Sequence, residues 1–145
     1  MRSTTTPATD GTTAAQDLSL SRIGALLDTY AEALSTGDVS EVAACFALPA
    51  MVLREGGAAV ACRREDVVAA FAALERLRQP GDPPAAVPHL RRVEDLGGGL
   101  VSADVLWHGV DERGHPAGGQ ERYVYLIRSE GGEPRIHVAV GPLAG

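Results

Sequence analysis

The fold is decided by Tyr30-Ala-Glu-Ala-Leu-Ser-Thr-Gly-Asp-Val-Ser-Glu-Val-Ala-Ala-Cys-Phe46, which predicts the end of one helix, a sharp stop and the start of a second helix. Gly37 suits the left-handed backbone position that ends many helices. Asp38 suits the cap of the next helix, and Glu41, three residues further on, can reach back to that cap. We therefore expect two helices to meet at a tight corner.

The helix before this corner is amphipathic. Its apolar residues recur at helical spacing, at Leu20, Ile23, Leu27, Tyr30 and Leu34. The pattern predicts a first helix over about residues 18–35 and a second over about 39–46, with Pro49 at its exit. A third helix is predicted over 64–78, because Val67, Phe71 and Leu74 share one face and Pro80-Gly81 follow.

The remaining segments have the period of strands. Two short strands, 51–55 and 58–62, flank Gly56-Gly57 and predict a hairpin. After the proline-rich loop 80–88, four strands are predicted: His89–Leu96, Leu100–Gly109, Gln120–Arg128 and Arg135–Val140. Glycine-rich turns between them favour an antiparallel meander. Helices followed by a run of strands indicate an α+β fold.

Composition limits the functional classes. The 145 residues fit one domain, predicted over 18–145, after a leader (1–17) expected to be disordered because it is short, polar and terminal. The net charge of −6 and the interleaving of arginines with acids argue against nucleic-acid binding. No apolar run is long enough for a membrane span and no secretory signal is visible, so we expect a cytoplasmic protein.

Cysteine and histidine usage gives no sign of a disulfide framework or a metal site. Cys45 and Cys62 are predicted to be buried small hydrophobes. The four histidines are scattered and lack the spacing of zinc ligands. We therefore expect no metal and no cofactor.

Alternation along the strands predicts which side chains face inward. The inner set is apolar and aromatic: Val101, Ala103, Val105, Trp107, Tyr123, Tyr125, Ile127, Ile136, Val138 and Val140. Tyr30 on the first helix can complete it. Two interpretations stay open, since such aromatic side chains either fill a core or line a small ligand pocket. In the second case Trp107, Tyr123 and Tyr125 are candidates for binding the ligand.

The corner, followed by Phe46 and this order of strands and helices, resembles the opening of the nuclear-transport-factor-2-like superfamily, which includes SnoaL-like polyketide cyclases and ketosteroid isomerase. The resemblance covers about Leu18 to Gly141. It implies a cone-shaped, curved antiparallel sheet wrapped around a long N-terminal helix, with a ligand in the open end. It also implies a homodimer through the outer sheet face, where Leu106, Val124 and Leu126 lie among charges.

Ketosteroid isomerase offers a residue-by-residue test. Its helix-one tyrosine is matched by Tyr30. Its aspartate base falls on Arg54, which cannot abstract a proton at neutral pH, and its second acid falls near Tyr123. Steroid-isomerase chemistry is therefore disfavoured.

SnoaL-like cyclases imply a different acid–base group, often a histidine. His89 begins the first long strand, near the place where many family members have such a histidine, and histidine suits acid–base work near neutral pH. We expect His89 at the rim of the pocket as the candidate base, with Tyr30 or Tyr123 as hydrogen-bond donor. His108, His115 and His137 are expected outside the pocket.

Arg54 has two interpretations. Facing inward, it is a cation near tyrosines, suited to an anionic or enolate-like ligand. Facing outward, it is a solvated charge beside Glu55. The functional alternatives are cofactor-free acid–base chemistry on an apolar carbonyl compound, of isomerase, cyclase or dehydratase type, and a non-catalytic ligand-binding or dimerisation module. The expected partners are a small apolar molecule and a second copy of the chain.

Overall fold

The computed structural model describes residues 5–144, with side chains from residue 20 onward apart from residue 130. Its elements are α1 (Thr5–Thr36), α2 (Val39–Ala44), β1 (Phe46–Arg54), β2 (Gly57–Ala61), α3 (Arg64–Arg76), β3 (Ala85–Gly97), β4 (Leu100–Val110), β5 (Pro116–Glu130) and β6 (Glu133–Leu143). The leader predicted over 1–17 falls on residues 1–4, outside the described residues, and on the first part of α1, where side chains are not described. It stays a prediction.

The corner between α1 and α2 forms as its sequence predicts. Gly37 has a φ of 72°, the left-handed conformation that glycine adopts without strain. The backbone N–H of Asp38 donates to the carbonyl of Ala33 at 3.0 Å, which satisfies a carbonyl at the end of α1. The Asp38 carboxylate in turn accepts a hydrogen bond from the N–H of Glu41 at 3.1 Å and caps α2. The corner thereby sets the direction in which the chain enters the sheet.

The six strands form one open, curved sheet in the order β2-β1-β6-β5-β4-β3. The α+β fold class is confirmed, and the meander from β3 to β6 is antiparallel. One pair departs from the antiparallel expectation, because β1 and β6 run parallel. These two strands are far apart in the chain, because β2, α3 and β3 to β5 lie between them, so no tight turn forces them to run antiparallel. The sheet is therefore mixed.

Strand β1 begins earlier than predicted. It starts at Phe46, where the prediction still had helix, and it contains Pro49. Proline lacks an N–H and is tolerated where strand pairing is interrupted. Here the pairing with β6 shifts between Phe46 and Met51, which is the interval that contains Pro49.

Strand β6 contains an irregularity that reverses the predicted phase of its second half. Ile127 of β5 pairs with Ile136, but Leu126 pairs with Val138, so His137 is an extra residue. Ala139 consequently turns inward and is buried, whereas Val138 faces the outer side with Leu126. The prediction that Val138 and Val140 face inward was wrong for this reason.

The core lies between α1 and the inner face of the sheet. Ile23, Leu27 and Tyr30 of α1 are buried against it, while Leu20 of the same predicted stripe is exposed. Across the described residues, no helix is long and apolar enough to cross a membrane.

Candidate functional site

A cavity of about 320 Å³ opens at one end of the sheet, between its inner face, the three helices and the segment that joins α3 to β3. Aromatic side chains from helices and strands line it: Tyr30, Phe71, Trp107, Tyr123 and Tyr125. Aliphatic residues such as Val52, Leu34 and Ala139 complete most of the wall. A small, largely apolar enclosure with few polar groups is the usual form of a small-molecule site.

Tyr30 lies at the centre of the aromatic cluster. Its ring contacts Phe46, Phe71, Trp107 and Tyr125 edge to face, with ring centroids 5.7 to 6.3 Å apart. This geometry places the positive ring edge against the negative ring face. The cluster therefore holds α1 against the sheet and also forms the floor of the cavity.

Trp107 and Tyr125 are joined by a hydrogen bond. The indole Nε1–H donates to the Tyr125 hydroxyl oxygen at 2.9 Å, and both residues are buried. Burial raises the pKa of Tyr125, so its hydroxyl stays protonated. Because Trp107 is 7% exposed and also lines the cavity, the core and pocket interpretations both apply to it.

Tyr30 and Tyr123 differ from Tyr125 in their hydroxyl groups. Neither hydroxyl makes a hydrogen bond to another described residue. Among the described residues, however, every fully buried side-chain oxygen or nitrogen has a hydrogen-bond partner. Both hydroxyls must therefore be accessible, and the space that both side chains line is the cavity. Burial is the main cause that raises the pKa of each phenol, so both remain neutral donors.

Arg54 faces inward at the end of β1. It lines the cavity two residues after Val52, on the same side of the strand. Its guanidinium lies close enough to Tyr30 and Tyr123 to offset part of the rise in their pKa values. Among the described residues, Arg54 has no salt bridge within 4.0 Å.

Gly141 gives Tyr123 its position next to Arg54. Leu53 pairs with Val140, so Arg54 continues alongside Gly141 on the neighbouring strand. A Cβ atom on Gly141 would lie 2.7 Å from Cδ2 of Tyr123, closer than real Cβ atoms come. The missing side chain thus lets the Tyr123 ring cover β6 and stack on Tyr125, with the two rings 5.8 Å apart and 7° from parallel.

Glu121 is a cavity residue that the sequence reasoning missed. It pairs with Trp107 across the β4–β5 ladder and shares the inner face with Tyr123. The alternation that selected Tyr123 and Tyr125 would have found it two residues earlier. Its carboxylate is exposed at the open end and forms no salt bridge with another described residue. The prediction that the inner set is only apolar and aromatic was therefore wrong.

The segment after α3 borders the opening. Arg78 donates to the carbonyl of Pro83 at 2.7 Å and lies 3.3 Å from Glu75. Pro83 in turn packs on Gly118, where a Cβ atom would lie 2.9 Å from the proline ring. These contacts hold the proline-rich segment against the sheet at one side of the cavity.

His89 does not lie at the rim of the cavity. In β3 the inner positions opposite Trp107 and Val105 are taken by Pro88 and Leu90, so His89, between them, faces the outer side opposite Leu106. Its ring contacts His108 on that face, with centroids 6.3 Å apart. The structure therefore corrects the predicted position of His89, and this geometry gives no support to a role as base on a ligand in the cavity.

The other reactive side chains also lie apart from the cavity. Cys45 is buried, and burial raises the pKa of its thiol to about 11, whereas Cys62 is exposed, contrary to the expectation of burial. Within the described part of the chain, no three histidine, cysteine, aspartate or glutamate side chains gather where they could hold a metal ion.

Comparisons with known proteins agree on the architecture. A family model described as "NTF2-like protein (DUF6841)" matches residues 19–142. No curated protein matches the sequence. Many solved structures also match. Their sequence identity to this chain is low, so the likeness shows the fold alone.

Three of these structures illustrate the likeness. A protein of unknown function from Mycobacterium tuberculosis superposes with a TM-score of 0.65 at 17% identity, covering 88% of this chain and 73% of the other. An NTF-2-like protein of unknown function from Shewanella oneidensis gives 0.66 at 12% identity, covering 83% and 96%. A ketosteroid isomerase-like protein from Erwinia carotovora atroseptica gives 0.65 at 14% identity, covering 83% and 92%.

Proposed function

Since the chain belongs to the NTF2-like family DUF6841, within the superfamily that its sequence resembles, we propose that it binds a small, largely apolar molecule in the cavity through a polar group held by Tyr30 and Tyr123. One observation carries this proposal. The two phenol hydroxyls open on a largely apolar cavity and make no hydrogen bond to any described residue.

The two phenols act as donors in this proposal. A phenol whose pKa is raised keeps its proton at neutral pH, so it donates to a carbonyl or carboxylate oxygen. The apolar part of the ligand would pack against Phe71 and the edge of Trp107. Trp107 and Tyr125 then shape the site and the phenols orient the ligand within it.

Trp107 provides the readout, because it is the one tryptophan of the chain. Its fluorescence would be titrated with phenyl-substituted ketones, amides and carboxylates. We expect saturable changes, and a loss of affinity of about fivefold to tenfold in Tyr30→Phe or Tyr123→Phe for one lost hydrogen bond. Saturation without any effect of either variant would remove the phenols from the proposal, and no saturation with any probe would remove ligand binding.

Acid–base chemistry on a carbonyl compound is the second candidate function, and Glu121 is the observation that favours it. Neutral phenols can stabilise a developing oxyanion, and a carboxylate on the same face can move a proton. Deuterium exchange next to the carbonyl of a bound ketone, followed by NMR, tests this. Exchange that disappears in Glu121→Gln while binding persists supports catalysis; absence of exchange in the native protein favours the non-catalytic module.

We also propose that the chain forms a homodimer through the outer sheet face. An apolar strip crosses that face, since Leu126 pairs with Val138 and Val124 with Val140. All four are half-buried. A two-fold axis would place this strip against the same strip of a second copy, as in isologous dimers generally. The cytoplasmic location stays a prediction.

A further inference from the structure

We propose that the ligand of the cavity is an apolar monocarboxylate, with its carboxylate between Arg54 and the phenols of Tyr30 and Tyr123. This inference rests on the proposed function, because it specifies the ligand class of the same cavity. Arg54 is the cavity cation that has no salt bridge to any described residue.

Arg54 is placed to bind an anion rather than to support the fold. It ends β1 at the open end of the cavity and is exposed, so no buried acid needs its charge. A guanidinium offers a fixed fork of N–H donors that matches the two oxygens of a carboxylate. The other cavity arginine, Arg78, is already engaged with Glu75 and with the carbonyl of Pro83.

The groups next to Arg54 are also donors. The guanidinium charge of Arg54 acts to lower the pKa of both Tyr30 and Tyr123. Both hydroxyls are without a hydrogen-bond partner among the described residues. This side of the cavity therefore presents a cation and two O–H groups. Such a set satisfies the lone pairs of a carboxylate, whereas a neutral ketone accepts fewer hydrogen bonds.

A carboxylate close to Tyr123 limits the charge of the ligand. Glu121 lies next to Trp107, and its charge acts on the Tyr123 phenol. A second negative group on the ligand would meet Glu121 or Glu75. The geometry therefore favours one carboxylate on an apolar body that packs against Val52, Phe71 and Leu74.

Three probes of matched shape distinguish a carboxylate site from a general site for apolar molecules: phenylbutyrate, phenylbutyramide and phenylbutylamine. Each would be titrated and its binding followed by Trp107 fluorescence and by calorimetry. We expect the carboxylate to bind about tenfold or more tightly than the amide, as for a hydrogen bond to a charged group. In Arg54→Gln this preference should disappear, because the carboxylate then has no charged partner and binds about as weakly as the amide. Arg128→Gln, which removes the same charge from the end of β5, is the matched control and should keep the preference.

Glu121→Gln gives an independent check, because removing the negative charge should raise the affinity for phenylbutyrate relative to that for phenylbutyramide. Equal binding of carboxylate and amide would overturn the carboxylate inference while the proposed ligand binding stands. Tighter binding of the amine would overturn it too, with Glu121 as the dominant charge. If none of the three probes binds, both proposals fail.

Discussion

The Nε1–H of Trp107 donates a buried hydrogen bond of 2.9 Å to the hydroxyl of Tyr125, which ties β4 to β5 beneath the cavity. The same two side chains contact Tyr30 from the sheet side. This bond therefore sets the position of the surface on which a ligand would rest.

Tyr125→Phe should destabilise the protein by about 1–3 kcal/mol, because it leaves the buried indole N–H without an acceptor. The free energy of unfolding would be measured by urea denaturation, with Tyr123→Phe as control, since the Tyr123 hydroxyl bonds no described residue. A double variant with Trp107→Phe should lose less than the sum of the two single losses. Strict additivity would contradict a shared hydrogen bond.

Gly141→Ala should cost about 1–3 kcal/mol of unfolding free energy, through backbone strain at its φ of 154° and displacement of the Tyr123 ring. It should also weaken ligand binding, because Tyr123 then moves relative to Arg54. Gly119→Ala is the matched control, since nothing lies within 4 Å of a Cβ atom there. Equal stability of Gly141→Ala and Gly119→Ala would show that the position of Tyr123 does not depend on a glycine at position 141.

The Asp104–Arg122 pair on the outer face should give the protein a measurable acid dependence. Arg122 lies 3.0 Å from Asp104 and its hydrogen bond holds the pKa of that carboxyl below its ordinary value of 3.8. Because the folded-state pKa is the lower one, this stabilisation is present above 3.8 and is lost as the pH falls through the folded value.

In Asp104→Asn, thermal unfolding at neutral pH should therefore occur at lower temperature, and the decline of stability below about pH 4 should flatten. Glu94→Gln is the control, because the Glu94 carboxylate pairs with Arg92 at an exposed site. An unchanged acid profile in Asp104→Asn would mean that the pair contributes nothing to folding.

Leu126→Asp should dissociate the proposed dimer, since it places a charge in the apolar strip opposite Val138. Sedimentation at micromolar concentration should give a dimer for the native chain and a monomer for this variant. Leu96→Asp, at an exposed position near the end of β3, should leave the dimer intact. A native chain that sediments as a monomer would contradict the proposal.

The helical corner and the long strands could be predicted because their signals are local. Gly37 and Asp38 act through their own backbone and side-chain chemistry, and alternation correctly assigned Ala103, Val105 and Tyr125 to the buried face. The superfamily followed from this order of elements and is confirmed.

One error arose where pairing, rather than composition, sets the phase of a strand. The extra residue His137 has no sequence signature, yet it turns Ala139 inward. The error at His89 is of another kind: alternation puts the apolar Pro88 and Leu90 on one face and His89 on the other, as in the structure, and only the resemblance placed His89 at the pocket. Glu121 also obeys simple alternation, since it lies two residues before Tyr123 on the same inner face.

The decisive measurement is a crystal structure with phenylbutyrate soaked in, because it locates both the phenyl ring and the carboxylate of the ligand. We expect the phenyl ring in the cavity against Phe71 and Trp107, with the carboxylate oxygen atoms about 2.5–3.0 Å from the Tyr30 and Tyr123 hydroxyl oxygens. A ligand bound elsewhere on the surface, or a cavity closed by its own side chains while solution binding saturates, would contradict it.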